Sequence, residues 1–220
     1  GILPHEGMKI TLKAFEDALD ADLHLSVNSN IVSGHLQSPN LFKKDIGGRA
    51  KLKGRLLVDA KNFDLVEALV PDVKGLNGAI DLNFTILGTI EAPDIKGRGQ
   101  VTIGHVLIPA IGLDLSETNF DILAENKELT LKGKLKSPEG SMLLAGNATL
   151  DKEQNWPARF TLKGSDFRLV SLPDITIFLS SDILFEKKDG LMSLTGKATI
   201  PTADILLREL PPGSQTASPD

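Results

Sequence analysis

Hydrophobic and polar residues alternate from Ala79 to Leu87, with Ile80, Leu82, Phe84 and Ile86 on one side and Asp81, Asn83 and Thr85 on the other. A period of two is the signature of a β-strand with one apolar face. The pattern recurs along the chain. Its apolar positions are Met8, Ile10 and Leu12; Leu23, Leu25 and Val27; Val101 and Ile103; Leu129 and Leu131; Phe160 and Leu162; Ile175, Ile177 and Leu179; and Met192 and Leu194. Thr102, Thr130, Lys132, Thr161, Lys163 and Ser193 stand opposite them. Four glycine-to-proline steps punctuate the runs: Gly34 to Pro39, Gly88 to Pro93, Gly133 to Pro138 and Gly196 to Pro201. Each glycine is expected to close a strand, and each proline to sit at an edge or kink because it lacks a ladder donor. The reading yields roughly sixteen short strands at the spacing of an all-β architecture.

One helix is predicted, from Asp64 to about Val70. Asp64 is placed to cap it, Glu67 to complete a capping box and Phe63 to act as a staple, and Pro71 stops it. The glycine steps are 54, 45 and 63 residues apart, too irregular for a propeller or a leucine-rich array. They fit an elongated β-structure in which each unit pairs with its neighbours. Residues 1–209 are expected to form one such unit, and the Pro/Ser-rich stretch 210–220 a linker-like tail. A closed β-sandwich with the same stripes as its core is the competing architecture.

Composition narrows the functions. Of the 220 residues, 41% are apolar but only 5% aromatic, with no Tyr and one Trp. An outer-membrane barrel would carry aromatic girdles, which this composition does not supply. The net charge of −5, with no local Lys/Arg cluster, argues against nucleic acid. With no cysteine there is no thiol catalysis, Cys-ligated zinc or disulfide. The apolar runs are only three or four residues long, as in Leu56–Val58, so no membrane anchor is expected here. The abrupt ends suggest a segment of a longer protein.

Chemistry has little foothold. No nucleophile elbow, His-Glu-x-x-His or phosphate loop occurs. Gly97-Arg-Gly99 lacks the third glycine and the helix of a dinucleotide site. The best metal-ligand spacing is Asp20, Asp22 and His24 at i, i+2 and i+4, a pattern that a solvated strand face also produces. No catalytic residue, metal or cofactor is expected.

Two longer runs carry a resemblance. The first is Asp64-Leu…Leu69-Val-Pro71…Gly75-Leu-Asn-Gly78…Leu82…Gly88-Thr-Ile-Glu-Ala-Pro93-Asp-Ile-Lys-Gly97. The second is Ser180-Ser-Asp182-Ile…Leu194-Thr-Gly196-Lys-Ala-Thr-Ile-Pro201-Thr-Ala-Asp-Ile205, followed by the tail Leu210-Pro-Pro…Ser218-Pro-Asp220. In order and spacing they resemble the TamB family of AsmA-like intermembrane bridge proteins, in a segment from the C-terminal half. The match is best over residues 50–220. It departs at Ser180-Ser-Asp-Ile, where the family often has Ser-Pro-Asp-Leu.

The resemblance implies a periplasmic segment of an inner-membrane-anchored protein. It implies a curled β-sheet with an open hydrophobic groove, a β-taco, that carries phospholipid acyl chains between inner and outer membranes. It also implies a TamA-type outer-membrane barrel as partner and a link to autotransporter assembly, with outer-membrane proteins as clients. On that reading the groove is lined by Ile80, Leu82, Phe84, Ile86, Val101, Ile103, Leu129, Leu131, Phe160, Leu162, Ile175, Ile177, Leu179, Met192 and Leu194. An assembly factor working by β-strand pairing with its clients is the alternative. Sixteen strands at ~4.8 Å would make a trough roughly 75 Å long.

Overall fold

A computed structural model describes residues 7–15, 17–27, 30–63, 70 and 72–206. Thirteen strands form one antiparallel sheet. They are β1 (Gly7–Phe15), β2 (Ala18–Val27), β3 (Asn30–Ser38), β4 (Lys53–Ala60), β5 (Lys74–Gly88), β6 (Pro93–Ile108), β7 (Leu113–Glu125), β8 (Glu128–Lys136), β9 (Ser141–Thr149), β10 (Ala158–Leu172), β11 (Ile175–Lys188), β12 (Leu191–Thr199) and β13 (Ala203–Ile205). From β1 to β12 each strand pairs with its predecessor, and β13 continues beside β11 where β12 stops. A 3-10 turn at Gly47–Arg49 is the one helical element among the described residues. The helix expected over 64–70 falls almost entirely outside the described residues.

The prolines behave as the missing N–H requires. Pro39, Pro109, Pro138 and Pro173 lie in turns, Pro93 opens β6, Pro157 immediately precedes β10, and Pro201 interrupts the edge between β12 and β13. The glycines do not. Gly34, Gly133 and Gly196 lie inside β3, β8 and β12, and Gly75 and Gly78 lie inside β5. The strands therefore run through the expected breaks, and thirteen longer strands replace sixteen short ones. Eleven steps of ~4.8 Å from β1 to β12 make a trough of roughly 50 Å along the sheet.

The sheet is a single open layer, so the two-sheet sandwich is overturned. It is also curled. Val106 of β6, Leu115 of β7, Met142 of β9 and Phe167 of β10 form one buried cluster, at 2–8% exposure. A flat sheet would spread the strands β6 to β10 over about 19 Å, so these side chains meet only because the layer bends towards them. Two backbone hydrogen bonds bridge the bend at opposite strand ends. Ser171 N donates to Ile111 O at 3.0 Å, and Lys152 N donates to Glu91 O at 2.8 Å.

Bulges produce the bend. Glu117 (φ 44°) is an extra residue in β7 between the pairs Ser116–Lys136 and Asn119–Lys134. The extra residue leaves the Lys136 N–H without a ladder partner, and the buried Thr118 hydroxyl accepts it at 3.1 Å while donating to Ser116 O at 3.2 Å. A second bulge at Asp166 (φ 50°) turns the lower half of β10 away from β9. That half passes the β8–β9 turn, where Arg168 N donates to Glu139 O at 2.9 Å, and reaches Ile111. Bulges that increase local twist are a common means of curving a sheet.

Candidate functional site

Register assigns every strand residue to a face. One row on the apolar side reads Leu25, Val32, Val58, Leu82, Gly99, Ile122, Leu131, Gly146, Phe160, Phe185 and Leu194, from β2 to β12. The next reads Leu23, Gly34, Leu56, Phe84, Gly97, Ala124, Leu129, Ala148, Ala158, Lys187 and Met192. On the other side of the first row lie Ala60, Ile80, Val101, Phe120, Gly133, Leu144, Leu162, Ile183 and Gly196.

Ile86 pairs with Gly54 and Ile95, and Ile103 with Gly78 and Thr118, on the same face. Ile175, Ile177 and Leu179 extend that face down β11 by two-residue alternation, and Leu179 packs on the buried cluster. All fifteen residues expected to line a groove thus share one face. Sequence periodicity passed over Leu56, Val58, Phe120, Ile122, Leu144, Ile183 and Phe185 on that face. The alternation of Phe120, Ile122 and Ala124 in β7 was the available signal.

The face is graded. The bend beneath Val106, Met142 and Phe167 is packed, and Phe84 is 9% exposed. Ile80, Leu82, Ile86, Val101, Leu129, Leu131, Phe160 and Leu162 are half-buried, and Leu162 packs against the buried cluster. Towards the edges the lining is bare, with Leu12 at 68%, Met192 at 70% and Leu194 at 71% exposure.

The mid-strand glycines lie on this face as well, opposite large side chains. Phe84 pairs with Gly97, Phe120 with Gly133 and Phe160 with Gly146. In the latter two pairs the ring occupies the space where a glycine Cβ would stand, so it lies down against the sheet. Gly97, at φ 149°, also adopts a backbone conformation that side chains resist, and a Cβ there would come within 2.9 Å of Phe84 Cα.

The opposite face is mostly polar, with Leu123 and Leu143 exposed on it, and several of its charges are paired. Arg159 meets Glu186 at 3.2 Å and Lys163 meets Asp182 at 3.0 Å across β10–β11. Asp81, Gln100, Asp121 and Lys132 follow one another across β5 to β8, beside a surface cleft of about 620 Å³. The row carries two carboxylates, one neutral amide and one lysine, and Gln100 Nε2 donates to Asp121 at 3.2 Å.

The structure pairs the acids of the Asp20–Asp22–His24 spacing with a different histidine. Asp20 and Asp22 do share the polar face, but the histidine beside them is His35 of β3, not His24. His35 Nδ1 lies 2.6 Å from Asp22 and 3.8 Å from Asp20, and Gln37 Nε2 donates to Asp20 at 3.0 Å. Cross-strand pairing of Asp22 with His35 makes this contact, which spacing along one strand could not reveal. The hydrogen bond to Asp22, with the charges of Asp22 and Asp20, raises the His35 pKa above 6.5. A raised folded-state pKa stabilises the fold below the unfolded value and loses that contribution as pH rises through the folded value. In a proton NMR titration, His35 is expected to titrate above 6.5, and Asp22→Asn to lower the midpoint. An unchanged midpoint would remove Asp22 as the cause.

Comparisons with known proteins place this surface. Residues 130–220 match the family model for the TamB C-terminal domain. The "Translocation and assembly module subunit TamB" of Haemophilus influenzae is 21% identical over 213 residues, covering 96% of this chain. The chain spans only 16% of that relative's length. No solved structure matches. The family model covers β8 to β13, and the relative extends the likeness over almost all of the curled sheet. By these matches residues 130–220 are similar to the TamB C-terminal domain, and almost the whole chain is similar to part of a TamB subunit.

Proposed function

We propose that this chain is a periplasmic segment of a membrane-anchored bridge, and that its apolar trough carries phospholipid acyl chains between the inner and outer membranes. The observation behind this is the apolar face that runs across twelve hydrogen-bonded neighbours with a single charge, at Lys187, half-buried at its centre and bare at both edges. A lipid leaving a bilayer exposes its methylenes at about 0.8 kcal/mol each. A trough that offers apolar contact at every step removes that cost along the whole path. Because the lining is repetitive and aliphatic, no position holds the chain much more tightly than the next, which favours sliding over storage.

The role is non-enzymatic and needs no cofactor. A TamA-type outer-membrane barrel is the proposed partner at the far membrane, met through the full-length protein. The test is photo-crosslinking in the full-length protein. Probes at Leu82 and Leu131 are expected to capture phospholipid, while probes at Asn83 and Thr130, one residue away on the polar face, are not. Equal labelling of both pairs would overturn the reading.

A second reading has its own support. The relative's name includes assembly, and β12 is exposed along its whole length, its outer edge unpaired among the described residues. An unpaired edge can add a client strand. Crosslinks from β12 to unfolded outer-membrane or autotransporter barrels, with no lipid in the trough, would favour assembly by strand pairing.

A further inference from the structure

One residue in the three apolar rows carries a charge. Lys187 lies on β11 between Ala158 and Met192, two residues along the same face from Phe185. It is half-buried, unlike its exposed neighbour Lys188. The nearby cations Arg159 and Lys163 have carboxylate partners on the polar face, Glu186 at 3.2 Å and Asp182 at 3.0 Å. Lys187 points to the other side of the sheet, and among the described residues its ammonium forms no ion pair.

A lysine in this setting lays its methylene stem on apolar neighbours and carries the ammonium to the nearest water. That water is close, because β11 ends at Lys188 and the adjacent strand leaves Met192 and Leu194 at 70% and 71% exposure. Lys187 therefore places a cation at the end of an apolar surface built by Phe160, Phe185 and Leu194. An amphiphile with an anionic head complements that arrangement. Its chain follows the aromatic and leucine row while its head stands over the ammonium at the open rim. The packed bend under Met142 and Phe167 offers no such space, so the contact belongs to the β11–β12 side.

We propose that Lys187 is a headgroup contact that binds the phosphate of a phospholipid whose acyl chain lies on Phe160, Phe185 and Leu194, and that it favours lipids of net negative charge. The inference rests on the lipid-conducting reading and adds headgroup selectivity to it. In a zwitterionic lipid the headgroup's own ammonium competes for the phosphate. In phosphatidylglycerol the phosphate is free to accept from Lys187.

The test uses the full-length protein purified from vesicles containing equal phosphatidylglycerol and phosphatidylethanolamine, with bound lipid measured by mass spectrometry. Lys187→Met keeps the apolar stem and removes the charge. The wild type is expected to carry phosphatidylglycerol in excess. Lys187→Met should lower the phosphatidylglycerol-to-phosphatidylethanolamine ratio by about tenfold, the loss of one charge-assisted contact, with total lipid within roughly twofold of wild type because the apolar rows are intact. Lys187→Arg should retain the preference, and Lys188→Met should not change it. An unchanged ratio in Lys187→Met, or an equal fall in Lys188→Met, overturns the headgroup contact and leaves the trough reading standing. A wild-type protein that carries neither lipid overturns both.

Discussion

Gly146→Ala is expected to lower the unfolding midpoint by roughly 5–10 °C, whereas Gly34→Ala leaves it almost unchanged. Both glycines lie mid-strand on the apolar face, so residue type and location do not separate them; the space above each one does. A Cβ at Gly34 would meet Leu23 Cβ at 3.7 Å and Leu56 Cδ1 at 3.9 Å, ordinary contacts. A Cβ at Gly146 would come within 2.7 Å of Phe160 Cγ and would also press on the Arg159 carbonyl oxygen. The ring can rotate away, but the carbonyl belongs to the ladder of β9 with β10 and cannot. Overpacking of this kind costs about 2–3 kcal/mol. The double variant Gly146→Ala/Phe160→Leu should recover part of the loss by removing the ring and none of the clash with the backbone. Thermal unfolding followed by circular dichroism measures all three. A Gly146→Ala protein as stable as wild type would show that the Phe160 ring and the Arg159 carbonyl give way to the added methyl without cost.

Those glycines also show how far the fold was legible in the sequence. Period-two alternation identified the all-β class and put fifteen residues together, because alternation depends only on the pleat. It did not distinguish a glycine that ends a strand from one that receives a neighbour's ring. Gly88 ends β5, while Gly133 receives Phe120 from a strand whose pairing is set by distant register. Reading every glycine as a stop gave too many strands and too long a trough. The bend was hidden for the same reason. Glu117 and Asp166 are ordinary residues in polar contexts, and the bulges they make are visible only in the ladder, where one strand has a residue its partner lacks. Asp22 and His35 are thirteen residues apart and meet by pairing, so the search along one strand chose His24 instead. Lys187 stands in the polar stretch Lys187-Lys-Asp-Gly190, which shows no alternation, and only its pairing with Ala158 places it on the apolar face.

A single carboxylate in the trough is expected to reduce lipid transfer by roughly 100-fold or more while the protein stays folded. Leu82→Asp is the sharpest case. Leu82 lies half-buried between Val58 and Gly99 near the centre of the longest apolar row. The fold tolerates the change because the new carboxylate can turn to water when the trough is empty. It cannot do so when an acyl chain passes, since the chain would displace that water and leave the charge against hydrocarbon, at a cost of several kcal/mol. Each 1.4 kcal/mol added to the barrier slows passage about tenfold, so one site is enough to block a path that runs strand by strand. Ile177→Asp tests the same idea on β11. Asn83→Asp is the control, adding the same charge one residue away on the polar face, where Asn83 pairs with Leu57 and Arg98. The measurement is phospholipid transfer by the full-length protein, with protein level and thermal midpoint recorded for each variant. Transfer near wild type in Leu82→Asp, at normal protein level, would mean that acyl chains do not travel along this face. Loss in Asn83→Asp as well would point to charge at either face, and so to a partner surface instead of a lipid path.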